Sequence, residues 1–309
     1  SVLKIEIGGQ GLPVSEVPIS NLRIHLAGDL KDAMDLHELL CSNVVATALV
    51  GDEENQLTYI NHSIVSEVGF KDSEAVLEDK GDSLSAYRLL SEYFVWPSKF
   101  LYLDFNELDK RPPGKKLTIL LGLDQPARRN LTVKPRNFLL GCTPVVNLFK
   151  KTLEPIRLDY TKEQYFLEPE AGGLINYEIH SINRVSISSP AVKQMRTLEP
   201  YFSFKHKIGS DIPKEFWFAT RSGAGAGLQG SQMHISFVDT DFTPQRPGGE
   251  TATIQALCTN RNLVEQLPIG AVFQGDEDLG ALATIISKPS PTVYAPLDGA
   301  TLWRLVSQL

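Results

Sequence analysis

The sequence predicts a β-rich α+β protein in which a mixed α+β domain, residues 1–150, precedes a β-sandwich or barrel-like domain, residues 151–250. Three observations carry that expectation. Apolar residues recur at helical spacing in two stretches, both before Pro97. Short alternating or apolar runs fill the chain from Phe100 onward. Clusters of Pro, Gly, Asn and Asp separate those runs. Residues 251–309 read as a β-rich segment returning to the first domain, which would make 151–250 an insertion into it.

Taken in order, Val2–Ile7 and Leu22–Leu26 alternate apolar and polar residues with period two around the turn-rich Gly8–Pro13, a two-strand opening. Asp29 follows Gly28 as a helix N-cap, and Ala33, Met34, Leu36, Leu39, Leu40, Val44 and Val45 recur at helical spacing until Gly51. A second helix is expected over Ser85–Phe94, where Tyr87, Leu90, Tyr93 and Phe94 share a face and Pro97 stops it. Strands are then expected at 100–105, 116–123 and 137–146, broken by Pro112-Pro113-Gly114 and Asp124-Gln125-Pro126. Further strands are expected at 156–159, 165–168, 175–187, 215–220, 232–239, 251–258 and 282–287.

Composition narrows the function classes. With 309 residues, 42% of them hydrophobic, the chain can bury real cores in about two domains. A net charge of -7 argues against a surface that tracks nucleic-acid phosphates. Lys110, Arg111, Lys115 and Lys116 form the densest basic group, but they flank Pro112-Pro113-Gly114 and read as a solvated turn. Three well-separated cysteines, Cys41, Cys142 and Cys258, fit a reducing compartment better than a disulfide framework. No run approaches the roughly 18 apolar residues that cross a bilayer, so the expected location is cytoplasmic. The chain opens in a strand-like run without Met and stops at Leu309 inside an apolar stretch, which reads as a fragment of a longer protein.

Four motifs invite a chemical reading. Gly225-Ala226-Gly227-Leu228-Gln229-Gly230 matches the dinucleotide string, which needs a helix after it so that pyrophosphate meets free N–H groups; Met233–Val238 alternates like a strand, so a hairpin loop is expected. His37-Glu38-Leu39-Leu40-Cys41 places two metal-ligand types one helical turn apart but supplies no third ligand, and a core cysteine with a surface histidine is the simpler reading. Asp239-Thr240-Asp241, ahead of Thr243-Pro244, reads as a turn before it reads as a cation site. A hydrolase or carbohydrate-binding module would need convergent carboxylates or stacked aromatics around Tyr201, Phe202, Phe204 and Trp217, which read more simply as core. The sequence nominates no catalytic residue, cofactor or metal.

Cys142–Phe149 and Glu154–Asp159 instead read as scaffold. Pro144 removes a ladder donor while Val145, Val146, Leu148 and Phe149 favour buried, pleated geometry, so a strand leaving its sheet is expected, with Asn147 capping or bridging. After Pro155, Arg157 shares a strand face with Asp159 and is expected to fork to it or to Glu154 as a structural ion pair. Cys258, Asn260 and Arg261, ahead of Leu267-Pro268-Ile269-Gly270, look like a turn fixed by side-chain hydrogen bonds.

These two segments together resemble the central signature of the TssF family, also called ImpG or VasA. The same resemblance runs through Leu22–Asp29, Tyr87–Phe100, Tyr177–Val185, Trp217–Arg221, Cys258–Gly270 and Trp303-Arg304-Leu305-Val306-Ser307, in order along nearly the whole chain. Trp96, Leu153 and Val264 stand where the family pattern has Phe, Ala and Pro. The resemblance implies a non-enzymatic baseplate subunit of the bacterial type VI secretion system. It implies that two TssF copies clasp TssG in wedges around the VgrG hub, contact TssK and TssE, and link the inner-membrane complex to the contractile sheath. Complete family members are longer than this chain.

Overall fold

A computed structural model describes residues 1–9, 11–52, 56–77, 85–126, 131–190, 192–203, 215–225, 227–239, 249–275 and 282–308. It divides into two units, Ser1–Val146 and Asn147–Leu309. In the first unit, β1 (Val2–Gly8), β3 (Val44–Val50), β4 (Leu57–Ile60) and β7 (Lys116–Leu123) form an antiparallel sheet of order β1-β7-β3-β4. A second antiparallel sheet, of order β5-β6-β2-β8, comprises β2 (Leu22–Leu26), β5 (Val65–Glu67), β6 (Tyr102–Phe105) and β8 (Phe138–Leu140). Strict alternation in β7 sends Leu117, Ile119, Leu121 and Leu123 inward, where they meet Ile24, Leu26, Leu49, Leu103 and Phe105 in one core.

Helix α1 (Leu30–Ser42) starts where Asp29 accepts a hydrogen bond from the Lys31 amide at 3.0 Å. It buries Ala33, Leu36, Leu39 and Leu40 in the core, the larger side chains contributing about 1.5–3 kcal/mol each. The helix ends earlier than its apolar spacing suggests. Asn43 donates its amide to Leu39 and its side chain to Asp124, and Val44 and Val45 then begin β3, since β-branched residues fit a pleated sheet better than a helix. Helix α2 (Ser85–Val95) is followed by a 3-10 turn beginning at Pro97. Behind it Lys99 and Glu92 form a buried ion pair; Lys99 also donates to the Gly69 carbonyl, and Glu92 accepts from the Val76 and Leu77 amides.

The second unit carries an eight-stranded sheet curled into a half-barrel. Its order is β10 (Ile156–Leu158), β16 (Glu250–Thr259), β12 (Glu178–Ser189), β13 (Val192–Pro200), β14 (Glu215–Gly223), β15 (Ser231–Asp239) and β11 (Tyr165–Phe166), and β9 (Phe149–Thr152) also pairs β16. Leu158, Val185, Ile187, Ile235, Ala252, Ile254, Ala256 and Cys258 form its innermost layer. A separate hairpin, β17 (Val272–Gln274) with β18 (Leu282–Thr284), and α3 (Gly299–Val306) follow. The fold is the β-rich α+β arrangement that the residue patterns predict.

The two expected opening strands are both present, β1 and β2, and they join different sheets. Two local expectations are corrected. Only Phe138–Leu140 of the expected 137–146 strand is extended: Gly141 turns the chain at φ 67° and Pro144 withholds a ladder donor, leaving Val145 exposed. The 251–258 stretch does not return to the first unit's sheet. It lies within β16, between β12 and β10 of the half-barrel, because its alternating apolar side chains complete that core. Among the described residues no helix is long and apolar enough to cross a membrane.

Candidate functional site

The most densely bonded residue of the second unit is Arg261, which opens a 3-10 turn (Arg261–Gln266) directly after β16. It is only 4% exposed and holds a left-handed backbone, φ 50°, unusual for a residue with a side chain. Its Nε donates to the carbonyls of Leu174 (2.9 Å) and Tyr177 (3.0 Å), its Nη1 to the Gln229 carbonyl (2.6 Å), and its Nη2 to that of Ser231 (3.4 Å). The Glu178 carboxylate lies 3.4 Å from Nη1 and accepts from the Ser231 amide (2.8 Å) and hydroxyl (2.5 Å). Arg221 completes the cluster, donating to the Ser231 hydroxyl and to the carbonyls of Ile179 and His180; burial lowers its pKa. One guanidinium thus ties the start of β12, the start of β15 and the end of β16 together.

Asn147 closes the junction from the other side. Its Oδ1 accepts from the Asn260 amide at 3.2 Å and its Nδ2 donates to the Arg261 carbonyl at 3.4 Å. Two residues on, Phe149 in β9 lies opposite Cys258 in β16 and packs edge-on against Tyr177, with ring centroids 6.0 Å apart. Cys258 is fully buried, which pushes its thiol up to about 11. Pro155 sits where β9 gives way to β10 along β16, and there the Glu154 amide leaves the ladder for the Glu168 carbonyl. Pro268, Ile269, Gly270 and Ala271 make a tight turn closed from Ala271 to Pro268, with Gly270 at φ 90° where the turn demands a left-handed residue.

Other signature residues stand apart. Arg157 is exposed and pairs with neither carboxylate. Glu154 accepts instead from the Ala171 amide, and Asp159 from the Thr161 amide and the Tyr165 hydroxyl; bonds from Thr161 and then Tyr165 lower its carboxyl to about 2. An Arg–carboxylate fork fails here because β10 turns Arg157 toward water, where two hydroxyl and amide donors already satisfy Asp159. Cys142 and Pro144 lie in the irregular segment after β8, and Trp303 and Arg304 lie on the outer surface of α3.

The Gly225–Gly230 string joins β14 to β15 as an antiparallel hairpin, so no helix N-terminus follows it, although Ala226 is outside the described residues. Gly230 has a different task. At φ 100°, an added Cβ would stand 2.5 Å from Glu178 Oε2 and 2.8 Å from Arg261 Nη1. Cys41 Sγ lies 3.7 Å from the half-buried His37 ring, and burial pushes its thiol up to about 12, as for a cysteine packed against the core. Among the described residues no group of three or more His, Cys, Asp or Glu is placed to hold a metal. Trp217 is core, but Tyr201 and Phe202 are exposed rims beside Phe216 and Trp217, a correction to their core reading. Phe204, Thr240 and Asp241 fall outside the described residues.

The family model described as "Type VI secretion system, TssF" matches residues 1–309. The chain belongs to the TssF family. It is similar to type VI secretion system component TssF1 of Pseudomonas aeruginosa, 26% identical over 321 residues that cover 97% of this chain and 51% of the relative. The chain therefore spans about half the length of that relative. In fold it is similar to a chain of the TssK-TssF-TssG baseplate subcomplex of a type VI secretion system, with TM-score 0.75 and 23% identity over 99% of this chain and 57% of the other. It also matches a chain of a type VI baseplate complex, with TM-score 0.56 and 23% identity, covering 95% of this chain and 51% of that one.

Within this TssF chain, sequence reasoning missed two partners of the junction, Ser231 and Gly230, and a second ion cluster altogether. In the latter, Arg196 grips Glu250 with two hydrogen bonds of 2.7 and 2.9 Å and donates to Glu215 at 2.8 Å, while the Tyr160 hydroxyl donates to Glu250. No local signal marks such groups, since their partners lie tens of residues away.

Proposed function

We propose that the chain is part of a type VI secretion baseplate subunit and works as a structural, non-enzymatic element. In this reading it forms wedges with TssG around the VgrG hub, together with a second TssF copy, and contacts TssK and TssE. The wedge docks on the inner-membrane complex and links it to the contractile sheath. The observation that carries the reading is the TssF family match over residues 1–309. The names TssK and TssG come from the solved subcomplex that this fold resembles.

Two surfaces support an assembly role. Helix α2 turns Tyr87, Leu90, Tyr93 and Phe94 outward, and α3 does the same with Leu302, Trp303, Leu305 and Val306; Phe94 and Trp303 are 78% and 75% exposed. Rows of large apolar side chains on amphipathic helices mark contact faces. The buried arginines and carboxylates are spent on backbone carbonyls and amides, which stiffens the unit and suits a part that transmits force. The free energies that matter in such a role lie in protein interfaces.

The test is co-purification of the chain with TssG, TssK, TssE, VgrG and full-length TssF of one organism, followed by size-exclusion chromatography with light scattering. A stable complex with TssG or TssK is the expected result. A chain that binds none of them, while folded by circular dichroism, overturns the assignment of those contacts to this region.

A further inference from the structure

The two helices of the first unit face it in opposite ways. α1 turns Ala33, Leu36, Leu39 and Leu40 into the apolar core. α2 turns Arg88 and Glu92 inward, 8% and 3% exposed, and leaves Tyr87, Leu90, Tyr93, Phe94 and Val95 exposed. None of its described residues belongs to that core or packs against it. Its own apolar contacts are slight: Leu89 is half-buried, and the Tyr93 ring meets Phe100 with centroids 5.9 Å apart.

A polar clasp on residues 69–77, outside the core, holds the helix instead. Arg88 Nη2 donates to Asp72 Oδ1 at 2.7 Å. Glu92 Oε1 accepts from the Val76 and Leu77 amides at 2.9 and 3.0 Å, and its Oε2 takes the Lys99 ammonium. Lys99 reaches back from the 3-10 turn Pro97–Phe100 and also donates to the Gly69 carbonyl at 2.9 Å. The ladder of α2 stops at the bond from the Trp96 amide to the Glu92 carbonyl. Pro97 has no N–H to carry it further, so the Trp96-Pro97 step is a natural hinge.

Such a clasp opens more readily than an apolar contact. Separating a buried charge pair into water restores the hydration of both ions, which offsets most of the lost attraction, and amides and carboxylates also find water. Pulling apolar side chains out of a core has no such offset. Opening α2 uncovers little apolar surface beyond Leu89 and Trp96, both already half-exposed, because its aromatic row faces water in either state. Once released, an 11-residue helix is too short to keep its own hydrogen bonds in water.

We propose that α2 is a latch: Ser85–Val95 swings off the first unit about Trp96-Pro97, releasing Arg88 and Glu92 to water while Lys99, α1 and both sheets stay in place. Closed, the clasp fixes the direction in which Tyr87, Leu90, Tyr93 and Phe94 point. Open, that row moves without disturbing either sheet. The latch goes beyond the baseplate reading and does not rest on it.

The test is native-state hydrogen exchange of the 309-residue chain, read by mass spectrometry at several urea concentrations below unfolding. Amides of α2 are expected to exchange about a hundredfold or more faster than those of α1 and β7, at a rate nearly independent of urea, since urea dependence scales with the surface exposed. Lys99→Met leaves Glu92 charged and unpaired in the closed state, so it populates the open latch; it and Arg88→Met should each speed α2 exchange at least about tenfold while α1 and β7 stay protected. Phe94→Ser changes a side chain already in water and should leave the rate as it is. Wild-type α2 and α1 exchanging together with one urea dependence overturns the proposal, and so does an acceleration by Phe94→Ser as large as that by Lys99→Met. Neither result touches the baseplate reading, which stands or falls on TssG and TssK binding.

Discussion

Replacing Arg261 with alanine is the sharpest test of the junction. The change removes five donor contacts, three of them to carbonyls at 2.6 to 3.0 Å, from a site only 4% exposed, and it takes from Glu178 the nearer of its two cationic neighbours, leaving Arg221 at 3.9 Å. Each buried acceptor left without a donor costs about 1–3 kcal/mol, and breaking a buried charge pair from one side costs about 3–5 kcal/mol in all. Water entering the vacated space recovers part of the first figure, so the expected loss is about 3–5 kcal/mol. For a unit of this size that lowers Tm by roughly 6–20 °C. Arg261→Lys keeps the charge but reaches fewer carbonyls and is expected to recover less than half of the loss. Scanning calorimetry measures the shift, and hydrogen exchange should locate it in β12, β15 and the end of β16. A loss below about 1 kcal/mol, the size of an exposed surface pair, would refute the claim that this guanidinium holds the three strands together.

Other outcomes follow from the same contacts. Gly230→Ala forces a methyl against Glu178 and Arg261 at positive φ and should cost about 2–4 kcal/mol by urea denaturation. Lys99→Met leaves Glu92 charged and buried and should cost about 3–5 kcal/mol; adding Glu92→Gln, whose amide oxygen still accepts from Val76 and Leu77, should restore at least half. Burial opposes ionisation of Glu92, but Lys99 and the two amides outweigh it and lower its pKa below the ordinary 4.5. A lowered folded pKa stabilises above the unfolded value and is lost as pH falls through the folded one, so acid titration of stability below about 4.5 should show a step that Glu92→Gln/Lys99→Met lacks. Native chain treated with a thiol reagent near pH 8 should label Cys142 faster than Cys41 and Cys258, because burial raises all three thiols but pushes the last two to about 12 and about 11; all three should react in denaturant.

Much of the secondary structure was legible from local chemistry. β1, β2, α2, β7, β14, β15 and β16 lie within a few residues of where alternation, caps and prolines place them. The failures share a cause. Val44 and Val45 fit the helical spacing of α1 and equally the pleat of β3, and only pairing of β3 with β7 chooses between them. β13 lacks a strong apolar alternation and owes its place to β12. Val145 and Val146 look like strand residues, but the sheet that would receive them ends at Leu140.

The candidate site was legible only as a set of residue types. Asn147, Asn260 and Arg261 stood out as turn-forming and hydrogen-bonding residues, and TssF membership followed from their order along the chain. That much is written in local sequence, because caps, turns and period-two burial are decided by neighbours a few positions apart. The meeting of Arg261 with Glu178, 83 residues earlier, and of Asn147 with Asn260, 113 residues later, is not. A guanidinium can satisfy any carbonyl or carboxylate within reach, so its sequence carries no record of which one it takes. Only the closure of β12, β15 and β16 around it brings those acceptors into a space too dry to leave them unpaired.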